Sequence, residues 1–198
     1  MDIGIFGGSF NPVHIGHLII ANFFVNEFTL DKCFFVPNHI SPFKLNDPEQ
    51  LDDYHRLKML ELAIKGNPKF AIDTYEIDKK AISYSFETIL YFKSKFQTAN
   101  LFFLIGTDQL EKFTQWKSWN IILENANLVV ARRNFVETKK DFLPIEYHNK
   151  IFFLNNPIIE ICSTLIRDLI KANKSIDYLV PEKVKTYIQK NNLYSTLI

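Results

Sequence analysis

The sequence predicts an α/β fold, a doubly wound parallel sheet forming a single domain over residues 1–198. Three observations predict it. Strand-like and helix-like segments alternate along the chain, the pattern of a parallel sheet covered on both faces. The strand-like runs are apolar throughout, as strands buried on both faces are. No internal repeat or low-complexity linker divides the chain.

Taken in order, Ile3 to Phe6 reads as a buried strand that breaks at Gly7-Gly8. A helical pattern follows from about Gly16 to Phe28. Leu30 to Val36 is a second strand, ended by Pro37-Asn38. Asn38 to Pro48 carries two prolines beyond that turn and reads as a long loop. Leu51 to Lys65, with Leu57, Leu60, Leu62 and Ile64, has helical spacing. Lys69 to Asp73 reads as a short strand. Ser85 to Phe96 reads as a helix capped by Ser85. Leu101 to Ile105, ended by Gly106, is a fully buried strand, and Leu128 to Ala131 and Ile151 to Leu154 read the same way. Helices from about Ser163 to Ala172 and Pro181 to Asn191 close the chain, with 161–198 as a C-terminal helical segment. In such folds ligands sit beyond the carboxyl ends of the strands. Here those ends are Gly7-Gly8-Ser9, Pro37-Asn38-His39, Gly106-Thr107-Asp108 and Arg132-Arg133.

Composition narrows the function. The 19 Phe, 8 Tyr and 2 Trp exclude a solvated coil. Lys plus Arg is 23 and Asp plus Glu is 22, for a net charge of +1, which argues against a nucleic-acid binder. Cys33 and Cys162 are too few for a disulfide framework and lack metal-site spacing. The first residues carry no basic segment or cleavage signal, and no run of 18 apolar residues occurs, so neither leader nor membrane partner is expected and a reducing cytoplasm is.

The chemistry concentrates in two strings. The first is Gly7-Gly8-Ser9-Phe10-Asn11-Pro12-Val13-His14-Ile15-Gly16-His17. Its glycines let a phosphate approach the backbone. His14 and His17, three apart at a helix start, share one face. Beside the positive end of that helix, two ring donors can stabilise charge on a transferred phosphoryl group. The bland alternative is a glycine turn followed by surface histidines. Zinc is a further alternative, but no nearby Cys or acid completes a ligand set. The second string is Ile161-Cys162-Ser163-Thr164-Leu165-Ile166-Arg167. Its hydroxyls can cap a helix or bind a triphosphate there, and Arg167 can fork onto phosphate oxygens.

The first string resembles the HxGH signature of the nucleotidylyltransferase superfamily, and the second resembles the Ser/Thr-rich turn leading to Ile-Arg that its small members carry. His14-Ile15-Gly16-His17 also matches class I aminoacyl-tRNA synthetases, which are much longer; Lys93-Ser94-Lys95 is a faint echo of their second motif. From Ile3 to about Tyr194 the chain resembles the bacterial-type nicotinate-nucleotide adenylyltransferases. Pro37 to Lys44, Arg56 to Leu60, Ser83 to Thr88, Phe103 to Asp108, Trp116 to Trp119, Leu128 to Arg132 and Val180 to Val184 carry that resemblance by their order and spacing. Two positions depart from it, Cys162 where Ser is typical and Asn11 where many members have Asp.

The resemblance implies a Rossmann-like nucleotidylyltransferase fold and transfer of the adenylyl group of ATP to nicotinate mononucleotide. The alternative is adenylyl or cytidylyl transfer to another phosphate acceptor, such as nicotinamide mononucleotide or phosphopantetheine. A nucleotide sensor without turnover and a protein-interaction domain are the competing classes. The implied catalytic set is His14, His17 and Arg167. ATP is expected at Gly7, Gly8, Ser9, Phe10, Gly106, Asp108, Arg132, Ser163 and Thr164. The pyridine nucleotide is expected at Lys44, Ser85 and Trp116, stacked on the last, with Trp119 used for packing. Mg2+ is expected on the ATP phosphates rather than in a protein cage, and a homo-oligomer is left open.

Overall fold

The apolar runs become adjacent strands of one sheet. The computed structural model describes residues 1–43, 45, 48–133 and 143–195. Its elements are β1 (Asp2–Gly8), α1 (Ile15–Glu27), β2 (Lys32–Pro37), α2 (Asp53–Ile64), β3 (Phe70–Ile72), α3 (Tyr75–Asp78) and α4 (Ser85–Lys95). Then follow β4 (Asn100–Gly106), α5 (Thr107–Leu110), α6 (Trp119–Asn125), β5 (Asn127–Ala131), β6 (Ile151–Leu154), α7 (Ser163–Lys171) and α8 (Glu182–Lys190). The strands pair in the order β3-β2-β1-β4-β5-β6, parallel throughout.

Side chains alternate across this sheet. Ile3, Ile5, Leu101, Phe103, Ile105, Leu128 and Val130 pack with Ile89 and Phe92 of α4 and Ile122 and Leu123 of α6. Phe35, Leu104, Val129 and Ala131 pack on the other face with Phe24 of α1, Met59 and Leu60 of α2, Ile166 of α7 and Val184 of α8. Two apolar faces explain why β4 and β5 read as continuous rather than alternating runs. Cys33 is fully buried, and that burial pushes its thiol pKa up.

Several local expectations need correction. The glycines do not end β1: Gly7 pairs with Val36 and Gly8 with Pro37, and Asn38 N–H donates to Gly8 O at 3.0 Å. Tyr84, not Ser85, is the N-cap of α4, and Cys162 is that of α7; neither helix has a side-chain cap. Pro181 sits one position before the first residue of α8. The short helices α3, α5 and α6 and the 3-10 turns Phe113–Gln115 and Ile145–Lys150 were not foreseen. Among the described residues no helix is long and apolar enough to cross a membrane.

Candidate active site

β1 and β4 are neighbours, and the chain leaves them toward opposite edges of the sheet. Such a reversal opens a crevice beyond the strands' carboxyl ends. A cleft of about 630 Å³ lies there, walled by the ends of β1 and β4 and the starts of α1, α4 and α7. Of the residues expected from sequence, Gly7, Gly8, Ser9, Phe10, His14, His17, Ser85, Gly106, Trp116, Ser163, Thr164 and Arg167 all line it.

The glycine turn is shaped by what packs on it. A Cβ on Gly8 would lie 3.1 Å from the Phe10 ring, and Phe10 itself takes the left-handed φ of 47°. That conformation costs a non-glycine residue about 1–2 kcal/mol. It turns the Phe10 ring inward against Phe6, Phe35 and His17, at centroid distances of 5.5, 5.7 and 5.1 Å. Phe10 is therefore a buried wedge beneath the turn as well as part of the cleft wall.

His14 is the N-cap of α1, and His17 lies in its first turn. Their rings stack at 3.7 Å between centroids, tilted by 31°. His14 N–H donates to His17 Nδ1 at 3.2 Å, so the His17 proton resides on Nε2. His14 Nδ1 is buried with no partner. Burial, aided by the Arg133 guanidinium, lowers the His14 pKa to about 3. Burial first, then His14 and Arg133, holds His17 well below the usual imidazole value. Both rings are neutral at pH 7. They offer hydrogen bonds there, not charge.

The second string, at the start of α7, reaches the first from the same face of the sheet. Ser163 Oγ donates to Pro12 O at 2.9 Å, so this hydroxyl joins the two motifs instead of capping α7. Arg167 is buried, and its Nη1 donates to Asn11 O at 3.0 Å. Its Nε and Nη2 hold Glu49 Oε2 at 3.0 and 2.7 Å, and Nη2 reaches Thr164 Oγ1 at 3.3 Å. Lys171 pairs with the other Glu49 oxygen. The hydrogen bonds from Lys171 and Arg167 hold the Glu49 carboxyl down at about 2. An internal carboxylate thus lies on the arginine expected to meet phosphate.

At the opposite end, Ser85 opens α4 beside Trp116, which contacts Phe43, Phe103 and Phe113 at 5.9, 6.3 and 5.4 Å between ring centroids. Trp119 packs on Phe113 and Tyr147 outside the cleft wall. Glu76 and Lys117 also line the cleft and were not foreseen; Arg133, placed with Arg132 at a strand end, lines it as well.

Three expected residues stand differently. Asp108 lies outside the wall, its carboxylate taken by Arg133 Nη1 at 3.3 and 3.2 Å. Arg132 is also outside; its backbone N–H and carbonyl are held by Asn156 at 2.9 and 3.0 Å, and its neighbour Arg133 faces the cleft instead. Lys44 lies outside the described residues. Arg132 and Arg133 could have been told apart only as opposites, since successive residues leaving a strand point to opposite sides. The synthetase-like Lys93-Ser94-Lys95 closes α4, where Lys95 pairs with Asp73 at 2.8 Å.

Comparison with known proteins agrees with this architecture. The cytidylyltransferase-like family model matches residues 5–169. The nicotinate-nucleotide adenylyltransferase of Bacillus subtilis (strain 168) is 38% identical over 194 residues, covering 98% of each chain. A probable nicotinate-nucleotide adenylyltransferase of Clostridium acetobutylicum is 40% identical over 198 residues, covering 96% of this chain and 97% of its own. Among solved structures, the Plasmodium falciparum nicotinic acid mononucleotide adenylyltransferase complexed with NaAD superposes with a TM-score of 0.79 at 21% identity, covering 98% of this chain and 97% of its own. That likeness concerns the fold. The extent of the family match and the near full-length identity with bacterial relatives show that this chain belongs to the nicotinate-nucleotide adenylyltransferase family of cytidylyltransferase-like nucleotidyltransferases.

Proposed function

We propose that the protein transfers the adenylyl group of ATP to nicotinate mononucleotide, giving deamido-NAD and pyrophosphate in NAD biosynthesis. The observation that carries this reading is the stacked, neutral His14–His17 pair, set between the glycine turn and the start of α7 in one cleft.

The triphosphate lies along Gly7, Gly8 and Ser9 toward Thr164 and Arg167, at the N-termini of α1 and α7, where free N–H groups favour anions. The nucleoside lies toward Gly106. A Cβ there would come within 2.4 Å of Asp108 Oδ1 and 2.7 Å of Arg133 Cδ, so only glycine leaves that pair in place. The pyridine ring stacks on Trp116, with Ser85 at its carboxylate.

An acceptor phosphate oxygen attacks the α-phosphorus in line. The new P–O bond forms as the bond to the β-phosphate breaks, and pyrophosphate leaves with that electron pair. The acceptor is already ionised near pH 7, because the second phosphate pKa is about 6, so no general base is needed. Catalysis is positioning and charge stabilisation. His17 Nε2–H serves the transition state and His14 the α-phosphate. Because each ring is neutral, each offers a single ring N–H as a donor and brings no charge of its own.

Magnesium fits this site only as a companion of the triphosphate. The one carboxylate on the wall among the described residues is Glu76, and Thr88 Oγ1 already donates to it at 2.5 Å. When bound through phosphate oxygens and water, the ion neutralises phosphate charge. We place this chemistry in the cytoplasm, in keeping with the free thiols of Cys33 and Cys162.

The test is pyrophosphate release from ATP and magnesium, with nicotinate mononucleotide and its amide in parallel, in wild type and His17→Ala. Strong release with the acid, lost in the variant, is expected. Absence of release with both nucleotides would refute the assignment.

A further inference from the structure

Three side-chain cations line the cleft among the described residues, and two of them are already paired. Arg133 meets Asp108 Oδ2 at 3.2 Å, and Arg167 meets Glu49 Oε2 at 2.7 Å. Lys117 has no carboxylate partner among the described residues. Its Nζ lies 4.4 Å from the Tyr84 ring centroid and 5.8 Å from that of Phe86. A ring face steers an exposed ammonium with about 0.5–1 kcal/mol and leaves its charge intact.

Tyr84 is the N-cap of α4 and Ser85 its first residue, so this cation sits beside the N-terminus of a helix of 11 residues. The free N–H groups of that turn already favour an anion. Trp116, adjacent in the chain, carries a buried Nε1–H with no acceptor. A buried donor left in that state costs about 1–3 kcal/mol. Two consecutive residues on one wall therefore present donors that no described group accepts. The nearby acid does not answer them. Glu76 accepts from Thr88 Oγ1 at 2.5 Å and from Ser83, and burial pushes its pKa up.

We propose that Lys117 is a specificity-determining residue, the cation that recognises a carboxylate on the ring stacked against Trp116 and so selects the acid over the amide. This rests on the reaction proposed above. A carboxylate gains a charge-assisted hydrogen bond from the ammonium, roughly twice as strong as the neutral bond an amide can accept. The flexible lysine stem and its three donors let the head turn from the Tyr84 face to the bound substituent.

The experiment compares kcat/KM for nicotinate and nicotinamide mononucleotides, with saturating ATP and magnesium, in wild type, Lys117→Met and Lys117→Arg. The acid-to-amide ratio should fall about tenfold in Lys117→Met, in line with the difference between a charged and a neutral hydrogen bond, and recover in Lys117→Arg. If Lys117 instead serves the phosphate common to both nucleotides, both values fall together and the ratio stays put, which overturns the proposal. An unmoved ratio with no loss overturns it equally. Lys117 is exposed, so its variants should melt with wild type; Lys117→Gln provides the same comparison if Lys117→Met folds poorly. Wild type that adenylylates neither nucleotide refutes the reaction and this inference together, whereas normal turnover with an unmoved ratio refutes the inference alone.

Discussion

Arg56 offers the sharpest test of how the cleft floor is held. Its side chain is fully buried. Nη1 donates to Ser9 O at 2.7 Å, Nη2 to Asn38 O at 2.5 Å and Nε to Leu51 O at 3.1 Å, and the Asp53 carboxylate pairs with the same guanidinium. One side chain thus ties the loop after β1, the loop after β2 and the approach to α2. Arg56→Met fills similar volume but leaves three carbonyls and Asp53 without their donor. Breaking a buried ion pair from one side costs about 3–5 kcal/mol. Some of this returns, because the arginine's own desolvation, which lowers its pKa, is removed with it. Asp53 is also partly solvated, at 24% exposure, and keeps His39 Nδ1 at 2.5 Å. The net expectation is a loss of about 3 kcal/mol, measured by urea unfolding at pH 7.5 with an unchanged m-value. The folded variant should also lose kcat more than it gains in KM, because Ser9 and Asn38 shape the turn on which the proposed reaction lays the triphosphate. Arg56→Lys should restore one tie and only part of both losses. A variant within 1 kcal/mol of wild type that keeps its kcat would refute the reasoning.

Three other outcomes follow from the same geometry. The His14 pKa is about 3 in the fold against 6.5 unfolded, so below pH 6.5 the unfolded chain takes up the proton first. Stability present above that pH should decline as pH falls toward 3, by about 2 kcal/mol at pH 5; unfolding at pH 7.5 and 5.0 should show a smaller decline in His14→Gln, and equal declines would count against a buried neutral ring. Gly106→Ala should displace the Asp108–Arg133 pair and raise the KM for ATP severalfold in steady-state kinetics, with little change in the KM for the acceptor. Ser163→Ala removes the hydroxyl that joins α7 to Pro12 O and should lower stability by about 1 kcal/mol in the same unfolding assay.

The sheet was legible because β4 and β5 are apolar on both faces, as parallel strands covered by helices are, and because such runs alternate with helical segments along the chain. Residues 107–125 were not. α5 has four residues and α6 has seven, too short for a 3.6-residue period to emerge, and α6 begins after Ser118 at a left-handed φ of 53°. The two strings that meet in the cleft stood out because their glycine, histidine and hydroxyl residues, taken together, resemble the family's paired signatures. Arg56, Glu49 and Asp108 were not legible as an arginine tie and two internal counter-ions. Those roles depend on partners as far as 122 residues away, as in the pairing of Glu49 with Lys171.

The two departures from the family pattern separate once partners are known. Cys162 caps α7 without a side-chain hydrogen bond, and a thiol there supplies little. Asn11 does use its amide. Nδ2 donates to Glu49 O at 2.8 Å, while Oδ1 accepts from Tyr194 OH at 2.8 Å and Leu51 N–H at 3.4 Å. An aspartate could accept the last two but would set a carboxylate against the Glu49 carbonyl. The backbone carbonyl of the same residue takes Arg167 Nη1, and Ser163 takes the next carbonyl, Pro12 O. Asn11 therefore joins the glycine turn, the segment carrying Glu49, Tyr194 and the string at the start of α7 at one buried point. Asparagine here is a building choice matched to Glu49, and its presence is no argument for a site that has lost turnover.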